Sequence, residues 1–230
     1  MTRNSSTLVG VLILGLACLY SVACGGGNSP TQPTTVTPPP PAAATGVSTQ
    51  NPVGSTQNVE ARTSQVASSG LPTQVFDDFT LSTATTVRTV NWQGIYCAEV
   101  ANAAAPAATA TAFMVSFYPD QAGRPNTQAP IQSTTFQLAQ TGQTFDRNQT
   151  PLNCGTTPTG WAFYSYSVAL STPFTATAGV KYWVSIQAVT PSYAVFWGWR
   201  DGTPDNRSSV QLFNGAFTSY NVDRAYALVP

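Results

Sequence analysis

The chain of 230 residues carries nine basic and nine acidic side chains, 8% of the total, and no histidine. A typical globular domain is about one quarter charged; this one has no basic run to release counterions, which excludes nucleic acid as a partner. Without histidine there is no Ser-His-Asp or Cys-His apparatus, no His-ligated metal and no histidine pH switch.

At the N-terminus Arg3 precedes an apolar run from Leu8 to Tyr20, and Ser21-Val22-Ala23-Cys24 follows. A basic start, a short apolar segment and small residues before a cut site predict a secretory signal peptide over residues 1–23. The run is shorter than the roughly 20 residues that a transmembrane helix needs. Beyond it stands Cys24-Gly25-Gly26-Gly27-Asn28-Ser29-Pro30, and here the chain resembles a bacterial lipoprotein. The resemblance implies an acylated Cys24 that attaches the protein to a membrane, and Gly25 in the next position implies the outer membrane. Ser21 stands where the lipobox has Leu, and an ordinary signal-peptidase site fits the same residues; both readings cut before Cys24, so export follows from either.

Residues 24–70 are dominated by Pro, Thr, Ser, Ala, Gln and Gly, with Pro38–Pro41 consecutive. With almost no large apolar side chain to offset ordering entropy, this segment is expected to be a disordered tether. Its Pro-rich first half reads as a semi-rigid spacer.

From residue 71 to 230 aromatic and β-branched residues recur, in a stretch long enough to bury roughly two thirds of its surface as one domain. Period-2 runs bounded by Gly, Pro, Asn and Asp predict strands at Gln74–Leu81, Val87–Cys97, Thr111–Tyr118, Ile131–Leu138, Trp161–Leu170, Val180–Val189 and Tyr193–Arg200. Shorter ones are expected at Val210–Phe213, Phe217–Asn221 and Arg224–Val229. In the sixth run Val180, Tyr182, Val184 and Ile186 face one way; Lys181, Trp183, Ser185 and Gln187 face the other. Ala101–Ala112 reads as a loop because of Pro106 and its threonines. The expected fold is all-β, an antiparallel two-sheet β-sandwich, jelly-roll-like. An immunoglobulin-like sandwich needs only about 100 residues. Cys97 ends a strand and Cys154 lies in the turn-rich stretch Gln149–Gly160. In an exported protein such a pair reads as a disulfide, stabilising the fold by about 4 kcal/mol in the chain-entropy account.

Several strings occur in order along this region: Phe76-Asp77-Asp78-Phe79-Thr80-Leu81, Val90-Asn91-Trp92-Gln93-Gly94-Ile95-Tyr96, Phe117-Tyr118-Pro119-Asp120, Tyr182-Trp183-Val184-Ser185-Ile186 and Phe196-Trp197-Gly198-Trp199. Together they resemble a β-sandwich module of exported and surface-anchored bacterial proteins, which implies a fold but no established activity.

Three features bear on function. The aromatic set Trp92, Tyr96, Trp161, Tyr164, Tyr166, Trp183, Trp197 and Trp199 suits sugar stacking where it is exposed and core where it is not. Trp197 and Trp199 share one side of their strand, and Trp183 shares a face with Lys181 and Ser185. These three are the expected ligand platform; burial of all three would drop the glycan expectation and point to a flat apolar patch instead. The loop Arg200-Asp201-Gly202-Thr203-Pro204-Asp205-Asn206 offers Asp201 and Asp205 as Ca²⁺ ligands, short of the six to eight oxygens calcium takes, and a turn with Asx hydrogen bonds is the preferred account of it. Asp77 and Asp78 are a further source of carboxylate. No spacing among the acidic residues singles out a hydrolytic pair, so the chain is read as a non-enzyme. The expectation is a membrane-anchored binding module for glycan or another envelope polymer, with a structural or adhesive protein that binds a protein partner as the alternative.

Overall fold

Alternation of apolar and polar residues organises this computed structural model, which describes residues 48–52, 61–67, 72–98, 109–153, 158–192, 196–203 and 208–230. In chain order the strands are β1 (Ser48–Gln50), β2 (Ala61–Thr63), β3 (Gln65–Ala67), β4 (Thr73–Thr80), β5 (Thr85–Ala98), β6 (Ala112–Gln121), β7 (Arg124–Pro125) and β8 (Gln132–Gln137). They continue with β9 (Thr144–Asn153), β10 (Pro158–Ala176), β11 (Lys181–Thr190), β12 (Phe196–Gly202), β13 (Ser209–Phe213), β14 (Ala216–Tyr220), β15 (Asp223–Arg224) and β16 (Tyr226–Val229). All described residues lie in one compact unit, Pro41–Pro230.

The expected antiparallel two-sheet β-sandwich is what forms. One sheet runs β1-β16-β5-β10-β9, with β12 also on β5 and carrying β2 and β15. The other runs β14-β13-β4-β3-β11-β6-β7, with β8 on β6 and a direct β4–β11 pairing. Among the described pairings only β3–β11 is parallel. The long β5 serves two strands on one edge: β16 pairs with Thr89–Trp92 and β12 with Gly94–Cys97. Gly94 is required there, because a Cβ at this position would collide with the ring of Trp197.

Inner faces meet in an aromatic core. Phe79, Phe113, Phe117, Tyr182 and Val184 come from one sheet, and Val90, Trp92, Tyr96, Tyr166, Trp197 and Leu228 from the other. Phe113 reaches across to meet Trp92 at 5.4 Å and Trp197 at 5.0 Å, both edge-on, while Trp92 and Tyr166 stack at 5.1 Å. Offset and edge-on pairs of this kind add to burial because ring edges are positive and ring faces negative. Desolvation pushes the Tyr96 hydroxyl up to about 12 and raises Tyr166 well above its usual range, so both stay neutral inside the core.

The sheets also take strands from upstream of Leu71, which corrects the expected tether over residues 48–52 and 61–67. These strands bring few apolar side chains, and hydrogen bonds tie them in. Ser64, fully buried, donates its hydroxyl to the Ile186 carbonyl at 2.6 Å and accepts the Val75 N–H at 3.1 Å. Ser64 O accepts the Ala188 N–H at 2.9 Å, and the Gln65 side-chain carbonyl accepts the Trp197 N–H at 2.8 Å. A composition-based expectation of disorder counts only apolar burial and overlooks such bonds. In the same way β9 occupies part of the stretch expected to be turns and pairs with β10. Residues 1–23, expected as a signal peptide, and Cys24 and Cys154 lie outside the described residues; Cys97 lies within β5.

Candidate functional site

The three tryptophans expected to form an exposed platform have no exposed surface. Trp197 and Trp199 do share a side, as alternation requires, but it is the inner one. Trp197 Nε1 donates to the Tyr166 hydroxyl at 3.3 Å and Trp199 Nε1 to the Ala225 carbonyl at 3.0 Å. Trp183 does lie on the face of Lys181 and Ser185, yet that face has a small core of its own, built with Phe76, Tyr118 and Val210. Lys181 Nζ sits 4.8 Å over its ring and Asp120 Oδ1 accepts its N–H at 2.8 Å. Sequence alternation gave the correct face, but non-local residues cover it, so the platform reading is withdrawn for all three.

The acidic residues come together as sequence could not show, around a cation of the chain's own. Arg224, fully buried, donates its backbone N–H to Asp77 Oδ2 and its Nη1 to Asp201 Oδ1. Its Nε and Nη2 reach Ser209 Oγ at 3.3 and 3.1 Å. Asp223, the residue before Arg224, accepts the Ser208 N–H at 2.7 Å. Gly202 allows this approach, since a Cβ there would lie 2.6 Å from the Arg224 carbonyl. Burial raises the Asp77 carboxyl well above its usual range, and burial lowers Arg224. Asp77 Oδ1 has no hydrogen-bond partner. Asp201, expected as a calcium ligand, therefore faces a guanidinium, and Asp205 lies outside the described residues. Among the described residues no three His, Cys, Asp or Glu side chains are grouped to hold a metal. Asp78 points the opposite way from Asp77 and binds Lys181 Nζ at 2.7 Å.

The open site is elsewhere, on the outer face of the first sheet, where β1, β16, β5 and β10 enclose a groove of about 280 Å³. Its lining comes from these four strands, Asn51 and Pro52. One cross-strand row runs Thr49–Ala227–Asn91–Ser167, and the next pairs Gln93 with Ser165. Residues opposite one another in antiparallel strands share a face. The small side chains of Ala225, Ala227, Ser165 and Ser167 therefore make a depression, and Asn91, Gln93, Thr49 and Asn51 rise around it. Gln50, Trp92, Tyr166 and Tyr226 alternate to the inner side and are buried, so backbone forms the floor.

Gln93 is held in place at the centre. Arg200, itself buried, donates Nη1 to Gln93 Oε1 at 2.6 Å and lies 4.9 Å over the Phe163 ring. Gln93 Nε2 donates to Ser165 Oγ at 3.2 Å. The lining holds amides and hydroxyls but no charged side chain, so it offers hydrogen bonds to an uncharged ligand and no acid–base pair. Sequence reading passed through Asn91 and Gln93 in the Val90–Tyr96 string. Their alternation with Trp92 was the available signal; the partners that complete the groove lie far away in sequence.

Residues 39–223 match the DUF7901 family, a domain of unknown function, and the chain belongs to that family. The matched span takes in β1–β3 together with the rest of the sandwich. No curated protein and no solved structure matches the chain.

Proposed function

We propose that the protein is an exported, lipid-anchored, non-enzymatic binding module that holds a neutral glycan or other uncharged envelope polymer in the groove of β1, β16, β5 and β10. The observation that carries this reading is the groove itself: open, uncharged, and lined by Asn91, Gln93, Ser165 and Ser167 over a backbone floor. Polyhydroxylated ligands need many hydrogen bonds and no counter-charge, and side-chain amides both donate and accept. Burial of Trp183, Trp197 and Trp199 removes the ground on which the glycan expectation first stood, and the present reading rests on the groove alone.

Acylation of Cys24 and a Cys97–Cys154 disulfide complete the proposal: the lipid sets where the module works, and the bridge suits an oxidising compartment. Intact mass of the membrane-extracted protein reads both, as acyl chains on Cys24 and as two hydrogens gained on reduction.

Binding is tested with the full chain incubated with insoluble chitin and cellulose, both uncharged. Retention on at least one is expected, together with its loss in Ser167→Trp, which fills the groove from an exposed position. Such a surface change should alter stability by no more than about 0.5 kcal/mol. Retention of Ser167→Trp equal to wild type, or no retention on any polymer, would overturn the reading.

A further inference from the structure

The groove wall β1 is weakly secured. It pairs with β16 alone, Ser48 with Leu228, Thr49 with Ala227 and Gln50 with Tyr226, and its Ser-Thr-Gln sequence brings no apolar side chain to the core. Gln50 is turned inward and only 2% exposed, and neither its Oε1 nor its Nε2 has a hydrogen-bond partner among the described residues. A buried amide without partners loses its bonds to water and makes none inside, a cost at least as large as the net gain from one backbone hydrogen bond. Docking of β1 therefore sets a few backbone bonds against two unpaired polar atoms. The residues that follow are fastened differently: Asn51 O accepts the Thr203 N–H, and Pro52 bridges to Gly202. The strand is thus anchored just beyond its C-terminal end and weakly held along its length.

We propose that β1 is a hinged wall: it swings out about Asn51 and Pro52 in the free protein, and a ligand in the groove holds it shut. The ligand half of the proposal rests on the groove reading above. Thr49 and Asn51 line the groove on this side, opposite Ser165 and Ser167. A ligand that touches both sides prefers the docked state, and a ligand shifts such an equilibrium by its differential affinity for the two states. Opening, in turn, returns the Gln50 amide to water. Gln50 is a positioning residue in this scheme. It turns away from the groove and sets what fraction of the molecules has the wall in place, and that fraction scales the apparent affinity.

Amide hydrogen exchange of the full chain, read residue by residue in ¹⁵N spectra, tests this. The β1 amides bonded to β16 should exchange at least about tenfold faster than those of Thr89 to Trp92 in β5, which have partner strands on both sides. Gln50→Met keeps nearly the same volume and removes the unpaired amide, so it should slow β1 exchange by about tenfold. Gln50→Leu repeats the measurement with a second apolar side chain. A saturating tetrasaccharide of chitin or cellulose, whichever binds in a calorimetric titration, should also slow β1 exchange. Protection of β1 equal to that of β5 in the free protein overturns the hinge, as does unchanged exchange in both Gln50 variants. A tetrasaccharide that binds and leaves β1 exchange unaltered overturns the closure by ligand, while the groove reading stands. Binding of neither tetrasaccharide, with no retention on the insoluble polymers, overturns the groove reading and the closure together, and the Gln50 variants then judge the hinge alone.

Discussion

Arg224 and Arg200 stand on the paired strands β15 and β12, both nearly devoid of exposed surface, yet they have opposite uses. Arg224 is enclosed by Asp77, Asp201 and Ser209 and ties β15 to both sheets. Arg200 lies on Phe163 and turns its donor to Gln93, a residue open to the groove. The difference teaches that a buried cation in a sandwich either locks the sheets together or sets the polarity of a surface site. The residue at the other end of its hydrogen bonds decides which.

The largest expected disruption removes the frame around both arginines. A fragment beginning at Leu71 lacks β1, a wall of the groove, and also β2 and β3, which bond to β12 and β11. It is expected to show no cooperative unfolding transition by circular dichroism, whereas the full chain should. Next, Arg224→Ala leaves the buried Asp201 carboxylate without its cation, while the backbone bond to Asp77 survives, and should cost about 3–5 kcal/mol in denaturant unfolding. Arg200→Lys keeps the charge but loses the planar fork; it should cost clearly less and shift the Gln93 side-chain amide resonances in ¹⁵N spectra. Equal losses from the two would erase the contrast.

The smallest effect concerns pH. Folding raises the Asp77 carboxyl above its ordinary 3.8, chiefly through burial. The folded state therefore holds a proton that the unfolded chain releases as pH rises. The stability contributed by the neutral carboxyl is fully present below 3.8 and is lost as pH climbs through the raised folded value. Measured against Asp77→Asn, which cannot titrate, wild type should lose relative stability across that window. Parallel pH profiles for the two proteins would show that Asp77 is ionised in the fold.

Much of the sandwich was legible in the sequence because strand formation depends on a local period. Tyr182, Val184 and Ile186 face the core as their alternation requires, and Trp197 and Trp199 fall on one side. The strands that the period did not reveal, β1–β3, β7 and β9, lack that apolar alternation. Ser64 and Gln65 are held by hydrogen bonds to Ile186, Val75 and Trp197, and no window around residue 64 contains those partners.

By itself the sequence determined the class of the molecule: an all-β domain, poor in charge and without histidine chemistry. Those properties are sums and periods along the chain. Tertiary structure alone decided which faces were covered and which stayed open. Trp183 became core because Phe76, Tyr118 and Val210 meet over it. The face bearing Asn91 and Gln93 stayed open because the residues beside them, Ala225, Ala227, Ser165 and Ser167, are small. Side-chain volume at a sheet surface acts only between neighbours, and these neighbours are set by strand order, which no local stretch of this sequence specifies.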